Sequence, residues 1–332
     1  MDFIAINPYI DGFRRYPAVS AGRHVRHNGL MDDPLRLADE VADALAGGRP
    51  VVALESTIIA HGMPHPRNVE TALTLEALVR SGGAVPATVA LVDGLFRVGL
   101  SDDELERLGT SEQVSKVSLR DVGAVLASLG LGATTVAATM FAAHRAGIRV
   151  FATGGIGGVH RGDGSDASAD LTALGRFPVA VVCAGAKAVL DLPHTLEALE
   201  TLGVPVLGWR TDAFPEFWTR GGDLPVSARV DDAAHAAGVL DAHWSAGLTT
   251  GAVLGVPIPG DHEADRAVIE AAITDGLAAT DAAGITGNEV TPFLLAHIAD
   301  ATGGASLDAN VALVQENTRV ATEVAVALAA TR

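Results

Sequence analysis

The chain has 332 residues, 48% of them hydrophobic but only 4% aromatic, so a large core is available and Ala, Val, Leu and Gly must fill it. A formal net charge of −17 argues against binding nucleic acid through its phosphates, which needs a basic face, but leaves room for a small anionic ligand in a locally positive pocket. The single Cys183 lies in an apolar run, which excludes a disulfide scaffold and a cysteine-rich zinc site; with no long uncharged apolar run and no apolar leader core, a soluble cytoplasmic protein is expected.

Residues 1–30 show no sustained period and are expected to form an irregular extension. From Met31 onward no repeat, long linker or composition shift marks a boundary, so 31–332 is expected to be one α/β domain. DDPLRLADEVADALAGG reads as a helix closed by glycine, and RPVVALEST as a buried strand. ATVALV and LFRVGL flank Asp93-Gly94, a hairpin signal, and SDDELERLG is a capped helix. TTVAATMFAAHRAG is a helix, IRVFAT a strand, GGIGGVHRGDGSDASAD a loop and PVAVVCAG a buried strand. LPHTLEALETLG is a helix, VPVLGW a strand, AAHAAGVLDAHWSAG a helix and TTGAVLGVPIP a strand. Three helices close the chain, the last starting at Ser306 with Asp308 in its first turn. Buried strands alternating with helices predict an α/β fold with helices covering a sheet.

Only two of the 23 basic residues are lysines, Lys116 and Lys187, which leaves 23 − 2 = 21 arginines. Arginine stays protonated at any working pH, whereas a desolvated lysine amine can lose its proton and act as a nucleophile or Schiff-base former. Lys187 follows the apolar strand PVAVVCAG, where such desolvation is expected. In sheets of this kind ligands collect beyond the carboxyl ends of the strands, and two more strand ends carry unusual residues. Glu55 directly follows VVAL, where a carboxylate is costly unless it is paired or acts as an acid or base. The glycine loop ATGGIGGVHRGDGSDASAD could cradle a phosphate, with Asp163, Asp166 and Asp170 as hard oxygen ligands for Mg²⁺ or Mn²⁺ and His160 beside them. Its spacing matches neither a Walker loop nor a dinucleotide fingerprint. His61 and His65 stand four apart, but Pro64 and Pro66 forbid the helix a zinc pair would need. Asn310 and Asn317, seven apart, share one face of the last helix; they could point into the site, but capping or interhelical hydrogen bonds are the first reading. An acid, a phosphate or metal loop and an amine together suit carbonyl or sugar-phosphate chemistry, whereas ordinary O-glycosidases use two carboxylates and no amine.

The stretches ALESTIIAHGMPHPRN, KVSLRD, GATTVAATM, FATGGIGGVHRG, DASADL, VCAGAKAVLDLPHTLEALETLGVPVLGW and SLDANVALVQENTRVA resemble, in order, the pseudouridine-5′-phosphate glycosidase family, also known as pseudouridylate synthases or indigoidine-synthase-A-like proteins. The resemblance runs from about Val51 to Val326. It implies a three-layer α/β/α fold with a central mixed sheet, a homotrimer, one Mn²⁺ per subunit, and reversible cleavage of the C–C glycosidic bond of pseudouridine 5′-phosphate to uracil and ribose 5-phosphate. By motif, Glu55 would be the proton donor, Lys187 the nucleophile and Asp166 the Mn²⁺ ligand. Lys116, Val136, Ser168, Ala169 and Asp170 would line the substrate site, with His160 and Asn288 as further pocket residues. The sequence departs from the family pattern at Leu119 (usually arginine), Val256 (usually asparagine), Trp209 (usually tyrosine) and in a shorter stretch between His160 and Asp166. An alternative reading is a non-catalytic sugar-phosphate binder on the same scaffold, or an amine-dependent lyase for a different C-nucleotide.

Overall fold

The computed structural model describes residues 33–162, 164, 166–285 and 290–331. The expected extension over residues 1–30, Asp163 and Asn288 lie outside the described residues; Leu35–Arg332 forms the unit described below. Instead of one helix over DDPLRLADEVADALAGG, Leu35–Leu37 is a strand (β1) and only Asp39–Ala46 is helical (α1). The reason is tertiary: Leu35 and Leu37 pair with Phe96 and Val98, so an edge strand was available to capture them.

The chain continues through β2 (Val51–Leu54), α2 (Thr57–Ala60), α3 (Arg67–Ser81), β3 (Val85–Val92), β4 (Leu95–Val98), α4 (Asp102–Thr110), β5 (Ser115–Val117), α5 (Val122–Ala127), β6 (Gly132–Thr134) and α6 (Val136–Ala146). Then come β7 (Val150–Ala152), β8 (Val159–His160), α7 (Ala169–Leu174), β9 (Ala180–Cys183), β10 (Leu190–Asp191), α8 (Leu192–Thr201), β11 (Val206–Trp209) and β12 (Ala228–Val230). The last elements are α9 (Ala233–Ser245), β13 (Ala252–Gly255), a short 3₁₀ turn at Gly260–His262, α10 (Arg266–Ala283), α11 (Val290–Ala301) and α12 (Ala305–Ala329). The expected hairpin is present, with Asp93 at φ 53° and Gly94 at φ 77° between β3 and β4. The expected cap is present too: the Ser101 hydroxyl accepts from the Glu104 N–H, and the Glu104 carboxylate accepts from the Ser101 N–H.

The main sheet runs β1-β4-β3-β2-β7-β9-β13-β11-β12, with β6 also on β3 and β5 on β6. From β3 to β12 every neighbour is parallel; the β3–β4 and β3–β6 pairings are antiparallel. The sheet is therefore mixed but mostly parallel. Its central strands, such as β2, β9 and β13, are buried at every residue, as strands covered on both faces must be. α12 lies against β2, β7 and β9 with α3 and α9 beside it, while α6 lies against β2, β3 and β4 with α7 beside it. The composition shows in this packing. Ala137, Ala138, Ala142 and Ala143 of α6 are fully buried, so small side chains rather than aromatics bring helix and sheet into contact. From β2 the chain moves first to β3 on one side and later to β7 on the other, so β2 and β7 bound the topological switch point, where α/β sheets open a crevice.

Candidate active site

Three strand ends converge at this crevice. β2 ends at Leu54, and the next residues are tied down at once. Fully buried Ser56 donates its hydroxyl to the Val89 carbonyl at 2.6 Å and accepts the Thr134 N–H at 2.8 Å, pinning the exit of β2 to β3 and β6. Glu55 therefore leaves the sheet in a fixed direction. Its two carboxylate oxygens accept one hydroxyl each, Oε2 from Thr57 and Oε1 from Thr153 at the end of β7.

β9 ends at Cys183, and its exit runs alongside that of β7. The Ile156 N–H donates to the Gly185 carbonyl at 3.0 Å and the Lys187 N–H to the Ile156 carbonyl at 3.1 Å, so the amine-bearing residue hangs from a clamped backbone. Gly185, at φ 80°, is required here: a Cβ would lie 1.8 Å from the Pro215 carbonyl oxygen. Buried Cys183 has its thiol pushed up to about 12, first by desolvation, against the pull of backbone hydrogen bonds and the Lys187 charge.

One pocket is lined by Glu55, Thr57, His61, Lys116, Lys187 and Asn310 on its polar side, by Ile58, Met63, Phe217, Leu295 and Leu313 on its apolar side, and by the Gly154–Gly155 backbone. Glu55 and both lysines thus share one cavity. Lys116 reaches it from β5, where it pairs with Ala133 of β6. The loop Phe214–Thr219 closes a wall: Phe217 holds a left-handed backbone (φ 66°), Trp218 packs edge-on at 5.0 Å, and the Trp218 Nε1–H donates to Asn310 Oδ1 at 2.7 Å.

The other expected residues lie along the glycine loop. Asp170 is buried, and its oxygens accept the Ala137 N–H at 2.9 Å and the Gly157 N–H at 2.8 Å. Its carboxylate thus joins the loop to the first turn of α6, beside Val136. A Cβ on Gly157 would sit 2.8 Å from Asp170 Oδ2, so glycine permits this approach. Ser168 caps α7, accepting the Asp170 N–H at 3.2 Å, and Ala169 is the first residue of that helix. His160 and Asp166 face each other across the loop, with the His160 N–H on the Asp166 carbonyl at 2.9 Å and the side chains 4.0 Å apart. Among the described residues no cluster of three or more His, Cys, Asp or Glu is gathered to hold a metal. His61 and His65 diverge, His61 lining the pocket and His65 meeting Glu106 at the surface. Val256 is buried in the core and half-buried Leu119 packs against it; neither lines the pocket.

Sequence reasoning missed Thr57 and Thr153. A hydroxyl that partners a carboxylate 98 residues away leaves no local pattern. Met63 and Phe217 were missed as well, since each reads as an ordinary apolar residue.

A mostly parallel sheet with a hydroxyl-held carboxylate and two amines at its switch point is the frame of an α/β enzyme acting on a small molecule. The family described as "Indigoidine synthase A like protein" matches residues 40–327, and the chain belongs to it. The chain is 54% identical to a pseudouridine-5′-phosphate glycosidase from Caldanaerobacter subterraneus subsp. tengcongensis over 90% of its own length and 98% of the relative's. A protein of that name from Methylobacterium nodulans is also 54% identical, over 90% and 89% respectively. Among solved structures, the prealnumycin C-glycosynthase AlnA in complex with ribulose 5-phosphate superposes with TM-score 0.84 at 45% identity, covering 90% of this chain and 98% of that one. An indigoidine synthase A-like protein from Thermotoga maritima gives 0.82 at 32% identity, over 93% and 100%. These enzymes match the chain almost end to end, and it is an enzyme of their family.

Proposed function

We propose that the protein cleaves the C–C glycosidic bond of pseudouridine 5′-phosphate to uracil and ribose 5-phosphate, reversibly, by way of a Lys187 imine. The observation that carries this reading is the meeting of Glu55, Lys116 and Lys187 in one pocket. The names of the relatives give the substrate, and the ribulose 5-phosphate bound to AlnA supports a pentose phosphate in this kind of site.

A carbon leaving group makes the chemistry unusual, because no glycosidic oxygen is present to protonate. Glu55 gives its proton to the ribose ring oxygen, and the C1′–O4′ electron pair leaves with that oxygen. The uracil N1 lone pair supports C1′ through C6 and C5. The neutral Lys187 amine adds at C1′ and loses a proton. Uracil C5 then takes up a proton, the nitrogen lone pair forms the C1′=N bond, and the C1′–C5 pair returns to the uracil ring. Water hydrolyses the iminium to ribose 5-phosphate and free Lys187. Lys116, with the backbone around Val136, Ser168 and Ala169, would hold the anionic end of the substrate.

Asp166 is exposed and has His160 as its titratable neighbour. It fits a Mn²⁺ that keeps most of its waters and takes one protein carboxylate, as hard hydrated cations do. Such an ion would supply positive charge and ordered water at the rim of the loop. The proposed assembly is a homotrimer and the proposed location the cytoplasm. Among the described residues no helix is long and apolar enough to cross a membrane.

The experiment is uracil release from pseudouridine 5′-phosphate with Mn²⁺, followed by chromatography, with uridine 5′-phosphate as control. Release from the C-nucleotide alone supports the reading, and no release by folded, metal-loaded protein contradicts it.

A further inference from the structure

Asn317 is fully buried on α12 and does not line the pocket, yet its contacts end at the proposed acid. Its Nδ2 donates to the Thr153 carbonyl at 2.8 Å and to the Gly154 carbonyl at 3.2 Å. Both belong to the exit of β7. The same residue, Thr153, donates its hydroxyl to Glu55 Oε1, and Thr57 donates to Oε2. The Thr153 N–H is bonded to the Val182 carbonyl at 3.0 Å, and the Gly154 carbonyl also accepts the Ala184 N–H at 2.9 Å. The backbone of Thr153 is thus fixed from β9 and from α12 at once. Its remaining freedom is χ1, which β-branching restricts.

Glu55 is different. A glutamate has three side-chain torsions, and at a strand end facing a cavity nothing in its own geometry selects one direction. Hydroxyls on both oxygens select it. Each carboxylate oxygen keeps a further lone pair for substrate, because one donor occupies only part of its acceptor capacity.

We propose that Asn317, Thr153 and Thr57 are positioning residues for Glu55: the α12 amide fixes the β7 exit so that the Thr153 hydroxyl holds one carboxyl oxygen while Thr57 holds the other. The proposal rests on the reading of Glu55 as the proton donor. Its signature is a loss in kcat with little change in KM, because the direction of the carboxyl matters when the ring oxygen takes the proton, not when the sugar phosphate is held.

The test compares Thr153→Val, Thr153→Ser, Asn317→Asp and Glu55→Gln in the cleavage assay and in crystal structures. Thr153→Val should lower kcat about 10- to 100-fold with KM within about threefold, and Thr153→Ser should recover most of the loss. Asn317→Asp keeps the volume but turns an acceptor toward two carbonyls. It should lower kcat alone and add much less in the Thr153→Val background, as residues in one chain of contacts do. Should Asn317→Asp fail to fold, Thr153→Val and Thr153→Ser still decide. Thr153→Val with kcat within about twofold of wild type, while Glu55→Gln is inactive, overturns the relay and leaves the role of Glu55 standing. Full activity in Glu55→Gln removes both. The structures test placement whatever the substrate: the Glu55 carboxyl should rotate or split in Thr153→Val, and a single unmoved conformer there overturns the proposal.

Discussion

The two halves of the sheet, meeting at β2, deliver their functional groups in different ways. In the parallel half, β2, β7 and β9 end on one edge, and Glu55, Thr153 and Lys187 sit one to four residues beyond them. There the backbone does the placing: parallel strands in register bring their exits side by side, and cross-loop hydrogen bonds such as Lys187 to Ile156 fix the rest. In the mixed half, β3 outruns β2, turns back through the hairpin and takes β6 as a second partner, and Lys116 projects from within β5. Its aim depends on register, because a slip of one residue would send it to the other face. Groups beyond strand ends can change without disturbing the sheet, whereas a strand-borne group is tied to the pairing that carries it.

This difference can be tested at both ends. The largest effect belongs to the parallel half. Lys187→Ala should lower kcat by about 10⁴-fold or more, and Lys187→Arg nearly as much, since guanidinium forms no imine. Circular dichroism and melting of both variants should stay near wild type, because the side chain faces a pocket. Next comes Gly185→Ala, where the new methyl would meet the Pro215 carbonyl and the φ of 80° is wrong for alanine. A loss of about 2–4 kcal/mol, read by denaturant titration, is expected; unchanged stability would mean that the two loops do not approach as described.

In the mixed half, Lys116→Met should raise KM for the sugar phosphate about 10- to 100-fold with a smaller change in kcat. An equal loss in kcat alone would move Lys116 from binding to chemistry. The smallest effect concerns Cys183. Its thiol titrates near 9.0 when unfolded and is pushed up to about 12 by burial in the folded protein, so between these values the unfolded chain binds fewer protons. The stability it contributes is complete below about pH 9 and falls as pH rises toward 12, by at most about 1.4 kcal/mol per unit. Cys183→Ala should flatten that alkaline slope, and the folded wild type should resist alkylation at pH 8.

Much of this was legible in the sequence, for physical reasons that differ by element. The hairpin, the Ser101 cap and the buried strands carry local patterns strong enough to survive tertiary packing. The glutamate after VVAL and the two lysines stood out because their chemistry conflicts with an apolar, arginine-rich background. α3 was not foreseen: RNVETALTLEALVRS mixes Thr, Glu and Arg through its apolar positions, and buries Asn68, Thr71 and Glu76 along with its hydrophobic residues. β1, β5 and β6 are three residues each, too short to show a period. Asp170 reads from the sequence as lining the substrate site; that its carboxylate also accepts two backbone N–H groups, from partners 33 and 13 residues away, is something spacing cannot show.

An imine between Lys187 and the sugar carbon is tested most directly by borohydride reduction of the protein mixed with ribose 5-phosphate, followed by peptide mass mapping. A reduced pentose-phosphate adduct is expected on the peptide containing Lys187 and none on the one containing Lys116. An adduct on Lys116 instead, or none on a protein that releases uracil, would contradict a Lys187 imine.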